Sequence, residues 1–425
     1  MTEISKIWKN SLVKSTFVYV ISTFINSGIA ILLLPILTRY LDTEEYGILS
    51  MINATVSVLI PFTGMSASSA LERKLADNQT YENKKYLFNC YVVVSAATMT
   101  VSLIVLKFSE FISGYSGIPY DLLWCVVILA CFDVLINIAL SVLQFNQHVK
   151  VYALYRNGET LFNLGLSIFL VVIAGLSLKG RVYAILISKS AASLVGICLT
   201  LKIIGIVPQI QKKYITDQVA NYGIPMIPTA LKGTILNYMD RLFITNMKSL
   251  SETGLYSVGN QFSLPVLFLA QAFNMAYVPW LYRKLAENKE EDKRKLVKFT
   301  YFYFLAIIII ALFWSVMIGF VLNYIVGGKY VESVSYIIWL SLGYAFTGMH
   351  MMVVNYIYFM KRIKIYNLVT ITVIASNIIL NYILIHKNGS IGAAQATLSV
   401  NVISFILTWI LAGKIYKMPW FDFRN

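Results

Sequence analysis

The chain has 425 residues, 58% of them hydrophobic and only 13% charged. Soluble globular proteins carry roughly 25% charged residues, so a soluble enzyme or binding module is a poor description of this sequence. The net charge of +15 has no meaning as a nucleic-acid footprint until its position along the chain is known.

Residues 1–14 place Ile4, Ile7, Trp8 and Leu12 at helical spacing, with Lys6, Lys9 and Lys14 between them. That pattern predicts a short helix lying on the membrane surface and not a cleavable signal. Apolar runs of about 20 residues, the length that spans a bilayer as a helix, then recur along the chain. Twelve are expected, at 15–37, 46–67, 87–107, 121–144, 156–176, 182–204, 221–246, 254–280, 299–323, 333–359, 365–385 and 391–413. The expected fold is therefore all-α and integral to the membrane. Its organisation reads as a surface segment at 1–14, an N-terminal six-helix lobe at 15–204 and a cytoplasmic linker at 205–220. A C-terminal six-helix lobe at 221–413 and a cytoplasmic tail at 414–425 complete it.

The basic residues give an orientation. With a cytoplasmic N-terminus, the segments on that side hold 25 of the 35 lysines and arginines, the outer loops hold seven, and three lie within spans. This bias repeats from loop to loop and predicts that both termini are cytoplasmic. It also turns the net charge into a topology signal and an attraction for anionic headgroups. The mixed-sign run Leu281–Lys298 reads as a solvated helix linking spans 8 and 9. The cysteines Cys90, Cys125, Cys131 and Cys198 all sit in apolar runs, without Cys-x-x-Cys spacing or clustered histidines. They read as small buried residues, so neither a disulfide nor a metal is expected.

A weak internal repeat aligns Gly47 with Gly254. Both copies read Glu-x-Gly-apolar-x-Ser, and the span that follows carries Pro61 or Pro265. Six spans per copy give both halves the same topology, related by a pseudo-two-fold along the membrane normal, with a substrate path expected between them. At the start of the second half, Pro225 and Pro228 either bend span 7 or simply open it, since each ring removes a donor and crowds the preceding turn.

Charges at mid-bilayer cost roughly 2.5–3.5 kcal/mol each on insertion scales, so each requires a reason. Lys232, a dozen residues into span 7, is a candidate cation for an anionic substrate; a structural pair with a carboxylate is the alternative. Asp240 and Arg241 lie near the outer end of that span and point to different sides, which favours a structural or gating role. Asp133 in span 4 is a candidate ion-coupling site or the partner of Lys189 or Lys232. Lys189 is placed in the outer half of span 6. Arg156 and Glu159 open span 5 and read as interfacial, with Glu159 a second coupling candidate. Arg39 ends span 1 as an outer anchor or vestibule cation, and His350 reads as a hydrogen-bonded helix contact. The many span asparagines and glutamines read as interhelical glue. No glycine-rich phosphate loop, nucleophile motif or ligand cluster is present, so neither a cofactor nor enzyme chemistry is expected.

Two stretches carry a resemblance. Leu33-Leu34-Pro35-Ile36-Leu37-Thr38-Arg39-Tyr40-Leu41 with Glu44-Glu45-Tyr46-Gly47 resembles the junction of spans 1 and 2 in bacterial polysaccharide flippases. Pro225 with Pro228, Asp240-Arg241-Leu242-Phe243-Ile244 and Ser251-Glu252-Thr253-Gly254-Leu255-Tyr256-Ser257 resemble their junction of spans 7 and 8. These flippases belong to the multidrug/oligosaccharidyl-lipid/polysaccharide exporter superfamily. The resemblance implies two six-helix lobes around a central cavity. It implies alternating-access transfer of an undecaprenyl-diphosphate-linked oligosaccharide to the outer leaflet, for O-antigen, capsule or another surface polymer. A polysaccharide polymerase or export machinery is the implied partner. Arg39, Asp240 and Arg241 fall on motif positions, Gly254 reads with Pro225 and Pro228 as lobe structure or gating, and Lys232 falls where the family varies. The rival readings are a cation-coupled multidrug exporter of the same superfamily, a lipid-linked peptidoglycan precursor flippase, whose extra spans twelve runs leave no room for, and a membrane-embedded glycosyltransferase or polymerase.

Overall fold

The computed structural model describes residues 11–77, 80–287 and 289–420. The side chains at several helical positions, Lys232 and Asn237 among them, lie outside that description. So does most of the segment expected as a surface helix at 1–14, and the end of the tail at 421–425.

The described chain is almost entirely helical. The helices are α1 (Ser11–Tyr40), α2 (Thr43–Gly64), α3 (Ala67–Ala76), α4 (Thr80–Lys107), α5 (Ser109–Ser116), α6 (Leu123–Phe145), α7 (Val149–Ser167) and α8 (Ser177–Ile203). They continue with α9 (Lys212–Thr216), α10 (Ile224–Met247), α11 (Leu250–Glu287), α12 (Glu290–Ile325), α13 (Val334–Phe359), α14 (Ile363–Asn388) and α15 (Ile391–Ile415). The twelve predicted spans correspond to α1, α2, α4, α6, α7, α8 and α10 to α15. Among the described residues, nine helices are long and apolar enough to cross a membrane; α1, α7 and α10 are the other three. Arg156 and Glu159 dilute the apolar character of α7, and Lys232, Asp240 and Arg241 dilute that of α10. The protein is a multi-pass, all-α membrane protein.

Contacts divide the chain into two compact units, Met1–Tyr238 and Met239–Asn425. The division falls inside α10. Each unit repeats one packing scheme. In the first, α6 packs on α2 and α8, α7 packs on α8, and α1 lies along α7. In the second, α13 packs on α11 and α15, and α14 packs on α15. The fourth crossing helix is thus the centre of each unit. It buries Val134, Ile138 and Val142 in the first and Leu340, Met352 and Val353 in the second.

The sequence repeat has a local cause. Asp42 caps α2: its carboxylate accepts from the Glu45 amide at 2.7 Å, and the Glu45 carboxylate accepts from the Asp42 amide at 3.1 Å. Ser249 caps α11 in the same way, its hydroxyl accepting from the Glu252 amide at 3.2 Å. Both copies are capping sequences that start the second helix of a unit by satisfying its first free amides.

Two expectations about element ends need correction. The run Leu281–Lys298 is not a separate linking helix. It is the last turns of α11 and the first turns of α12, broken near Lys289. Glu290, Glu291 and Asp292 there occupy the first turn of α12, where acids suit the helix dipole. The helix through the proline pair starts earlier than expected, at Lys212. It runs as a wide π-helical stretch over Asp217–Gly223 directly into α10. The wider turns lie directly ahead of Pro225 and Pro228, whose rings cannot donate to the preceding turn. Gly223 is needed in that stretch, because a Cβ there would stand 3.1 Å from the Met65 Cβ and 3.2 Å from the Gln218 carbonyl oxygen.

Residues 205–216 are docked on the first unit. The Asn89 amide donates to the Gln209 carbonyl at 2.9 Å and accepts from the Gln211 amide at 2.9 Å. The Tyr86 and Tyr214 rings meet edge to face at 5.4 Å.

Candidate functional site

The first unit encloses a polar cavity of about 200 Å³. It is lined by Asn26 of α1, Asp133 and Asn137 of α6, Tyr155, Arg156 and Glu159 of α7, and Lys189 of α8. The pair left open by the sequence is made here: Lys189 Nζ donates to both carboxylate oxygens of Asp133, at 2.6 and 2.7 Å. Both side chains are largely buried, at 23% and 20% exposure. Charges at that depth persist only when paired.

Arg156 and Glu159 do not open the helix as expected: α7 starts at Val149, so they lie seven and ten residues into it, and they line the cavity. Lys189 lies twelve residues into α8 from Ser177, close to mid-helix. Asp133, Glu159 and Lys189 therefore share one level. Arg156 Nε is buried without a hydrogen-bond partner among the described residues. The cavity thus offers one lysine already neutralised, one guanidinium with donors to spare, and one further carboxylate.

A polar stripe on α7 extends this network, and the sequence reading missed it. Asn26 donates to Asn157 Oδ1 at 2.8 Å, and Thr160 donates to Asn26 Oδ1. Asn163 donates to Ser188 Oγ at 2.7 Å. Arg181, counted in a loop on sequence grounds, donates to Asn163 Oδ1 at 2.7 Å and to Ser167 Oγ. The available signal was the spacing of Arg156, Thr160, Asn163 and Ser167, which falls on one helical face.

The second unit holds a different polar site at the corresponding helices. Asp240 of α10 is 4% exposed. Its carboxylate accepts from Tyr256 of α11 at 2.9 Å, Asn377 and Asn381 of α14 at 3.2 and 2.7 Å, and Thr397 of α15 at 2.8 Å. One carboxylate therefore ties four helices together. The side-chain oxygens of Asn377 and Asn381 are buried without a hydrogen-bond partner among the described residues. Turning either amide over would direct its oxygen toward the carboxylate. Asp240, two amide oxygens and the Thr397 and Tyr256 hydroxyls would then form an all-oxygen set with one negative charge. Such a hard-ligand set suits a small monovalent cation better than a transition metal. No cluster of three or more His, Cys, Asp or Glu that could hold a metal occurs among the described residues.

The other predicted residues are dispersed. Arg39 is exposed in the last turn of α1. Gly254 is buried in the first turns of α11. Pro225 and Pro228 follow the π-helical stretch. Lys232 is eight residues into α10, its side chain outside the description. Arg241 lies within electrostatic reach of Tyr256 and Tyr344. His350 bonds Tyr366 at 2.9 Å, the expected helix contact.

A helical membrane bundle of two like units, each with a polar site between its first, fifth and sixth crossing helices, defines a transporter-type fold. Residues 12–285 match the model of the family described as "Polysaccharide biosynthesis protein", and the chain belongs to that family. It is 25% identical over 381 residues to Lsg locus protein 1 of Haemophilus influenzae, covering 87% of this chain and 91% of that one. It is 20% identical to the "Probable low-salt glycan biosynthesis flippase Agl15" of Haloferax volcanii, covering 94% of this chain and 82% of that one. Among solved structures, the lipid II flippase MurJ in an inward closed conformation superposes with a TM-score of 0.76. The two are 18% identical, over 95% of this chain and 87% of MurJ. An inward-facing multidrug resistance transporter of the MATE family gives 0.68 at 14% identity, over 92% and 93%. The chain thus has the fold of the multidrug/oligosaccharidyl-lipid/polysaccharide exporter superfamily, as its two sequence motifs led us to expect.

Proposed function

We propose that the protein is a flippase. It carries an undecaprenyl-diphosphate-linked oligosaccharide repeat unit from the cytoplasmic to the outer leaflet of the bacterial plasma membrane, for surface polysaccharide synthesis. The observation that best supports a phosphate-bearing cargo is the uncommitted Arg156 guanidinium in the cavity of a flippase-family bundle. Lys189 is held by Asp133, so Arg156 is the cation there with donors left for an anion; Lys232 of α10 remains the second candidate cation on sequence grounds. Guanidinium groups pair phosphate oxygens two at a time. With both termini cytoplasmic and the cell interior negative, each anionic charge moved outward gains roughly 2.3 kcal/mol per 100 mV. The units that alternate are the lobes expected at 15–204 and 221–413, joined through 205–220, with the boundary between compact units falling inside α10. A polysaccharide polymerase or export complex receives the product.

Return of the carrier requires a coupling site, and Asp240 suits that role better than Asp133. Asp133 is engaged by a lysine, whereas Asp240 sits beside two buried amide oxygens without partners among the described residues. The test is transport of a lipid-linked oligosaccharide into reconstituted vesicles under imposed sodium, potassium or proton gradients. Arg156→Ala is expected to reduce the rate about 10- to 100-fold, the size of a lost charge-assisted contact, with gradient dependence kept. Asp240→Asn is expected to abolish gradient dependence. Equal rates in both variants would remove the assignment.

A further inference from the structure

We infer that a groove between α7 and α8 is a site for one acyl chain of a resident anionic phospholipid. The groove has a volume of about 370 Å³. Its walls are apolar: Leu154, Gly158 and Phe162 on α7, and Ala191, Val195 and Leu199 on α8. Most are well exposed, Leu154 at 76% and Val195 at 51%. Gly158 and Ala191 leave the space; a Cβ at Gly158 would meet nothing within 4 Å.

Length and charge select the occupant. The groove runs from Val151 to Phe162 along α7. At 1.5 Å per residue that is about 16 Å, close to half of the ~30 Å hydrocarbon core. It therefore matches the depth of one leaflet and one acyl chain, whereas a polyprenyl carrier chain would overrun it.

The groove is also cationic at one end only. Lys150, Leu154, Gly158 and Phe162 follow one another at four-residue intervals, so Lys150 continues the α7 wall. Lys202 continues the α8 wall after Ala191, Val195 and Leu199. Helical periodicity puts each lysine on its wall's face, and antiparallel α7 and α8 put both at the same end. Both are exposed. A phosphate headgroup between two lysines with its chain running toward mid-bilayer satisfies both ends. The inner wall is formed by Tyr155 and Glu159, which also line the polar cavity. The chain would thus seal that cavity laterally and keep Glu159 among polar neighbours.

The test is native mass spectrometry of the full-length protein, after exchange into micelles with phosphatidylglycerol or phosphatidylcholine. One phosphatidylglycerol per chain is expected to survive, in preference to phosphatidylcholine. Lys150→Glu with Lys202→Glu is expected to weaken retention by at least thirtyfold, about tenfold or less per surface lysine removed. Gly158→Leu, whose Cβ meets nothing within 4 Å and whose branched end occupies the groove, is expected to abolish retention of either lipid. The lysine variants change exposed residues, so folding is preserved and checked by circular dichroism. Equal retention of both lipids, or retention unchanged in these variants, would overturn the inference. So would displacement of phosphatidylglycerol by polyprenyl phosphate at equimolar ratio, which would make the groove a carrier site.

Discussion

At the scale of single residues, the protein handles its intramembrane charges in two ways. Asp133 and Lys189 cancel one another in a two-pronged pair, whereas Asp240 is held by four neutral donors. The first arrangement depends on both partners. Removing one leaves an unpaired charge at mid-bilayer depth, while removing both leaves an ordinary polar cavity wall. We expect Asp133→Asn and Lys189→Met each to lower thermal stability more than the double variant does. A coupling of about 1–3 kcal/mol in a double-mutant cycle is expected, read by thermal unfolding in detergent. Additive losses would mean that the pair contributes no net interaction. Asp133, Lys189 and Asp240 were each visible in the sequence as charges in apolar runs. Which of them paired was not, since Asp133 and Lys189 are 56 residues apart in the chain and either lysine satisfied the same rule. Arg181 stayed hidden because a cation four residues into a helix from Ser177 reads as a loop cation until the helix start is known.

At the scale of helices, boundaries carry the information that composition lacks. Starting α7 at Val149 moves Arg156 and Glu159 from the opening of the helix to the wall of a cavity. Starting the α10 rod at Lys212 turns the proline pair from a helix opening into the sequel of a π-helical stretch. The sequence reading placed both starts late because it followed hydrophobicity, and the first turns of these helices are polar. The capping sequences were legible as a repeat but not as caps. Asp42→Ala and Ser249→Ala are each expected to cost about 1 kcal/mol, seen as lower unfolding temperatures; no change in either would break the structural account of the repeat.

The elbow between α11 and α12 makes a prediction about pH. The Lys295 ammonium, 2.6 Å from Glu291, holds that carboxyl below its ordinary 4.5. Asp292 and then Glu287 hold the Lys284 ammonium above its ordinary 10.5. A depressed acid stabilises above its unfolded value and loses that contribution as pH falls through the folded one. A raised base stabilises below its unfolded value and loses it only as pH rises through the folded one. Amide exchange across 281–298, corrected for intrinsic rate, should therefore be flat between about pH 5 and pH 9 and rise below about pH 4. The effect of Glu291 should shrink in high salt, because its pair with Lys295 is solvent-exposed. A rise confined to the neutral range would contradict it.

For the whole molecule, the fold was the most legible level. Twelve apolar runs, a bias of basic residues and a midpoint repeat pointed to two like bundles, and the helix packing repeats in that way. Function is less legible, since the same fold serves cargoes of different charge, and only individual side chains separate them. The cavity here carries an arginine with donors to spare, which suits an anionic headgroup better than a cationic drug. The most direct measurement is the movement of a fluorescent lipid-linked oligosaccharide across vesicles containing the purified protein. It is followed by the access of a membrane-impermeant quencher. The account predicts that the protected fraction becomes accessible at a rate set by protein content and slowed by Arg156→Ala. Unchanged protection over hours, with a cationic drug transported instead, would contradict it.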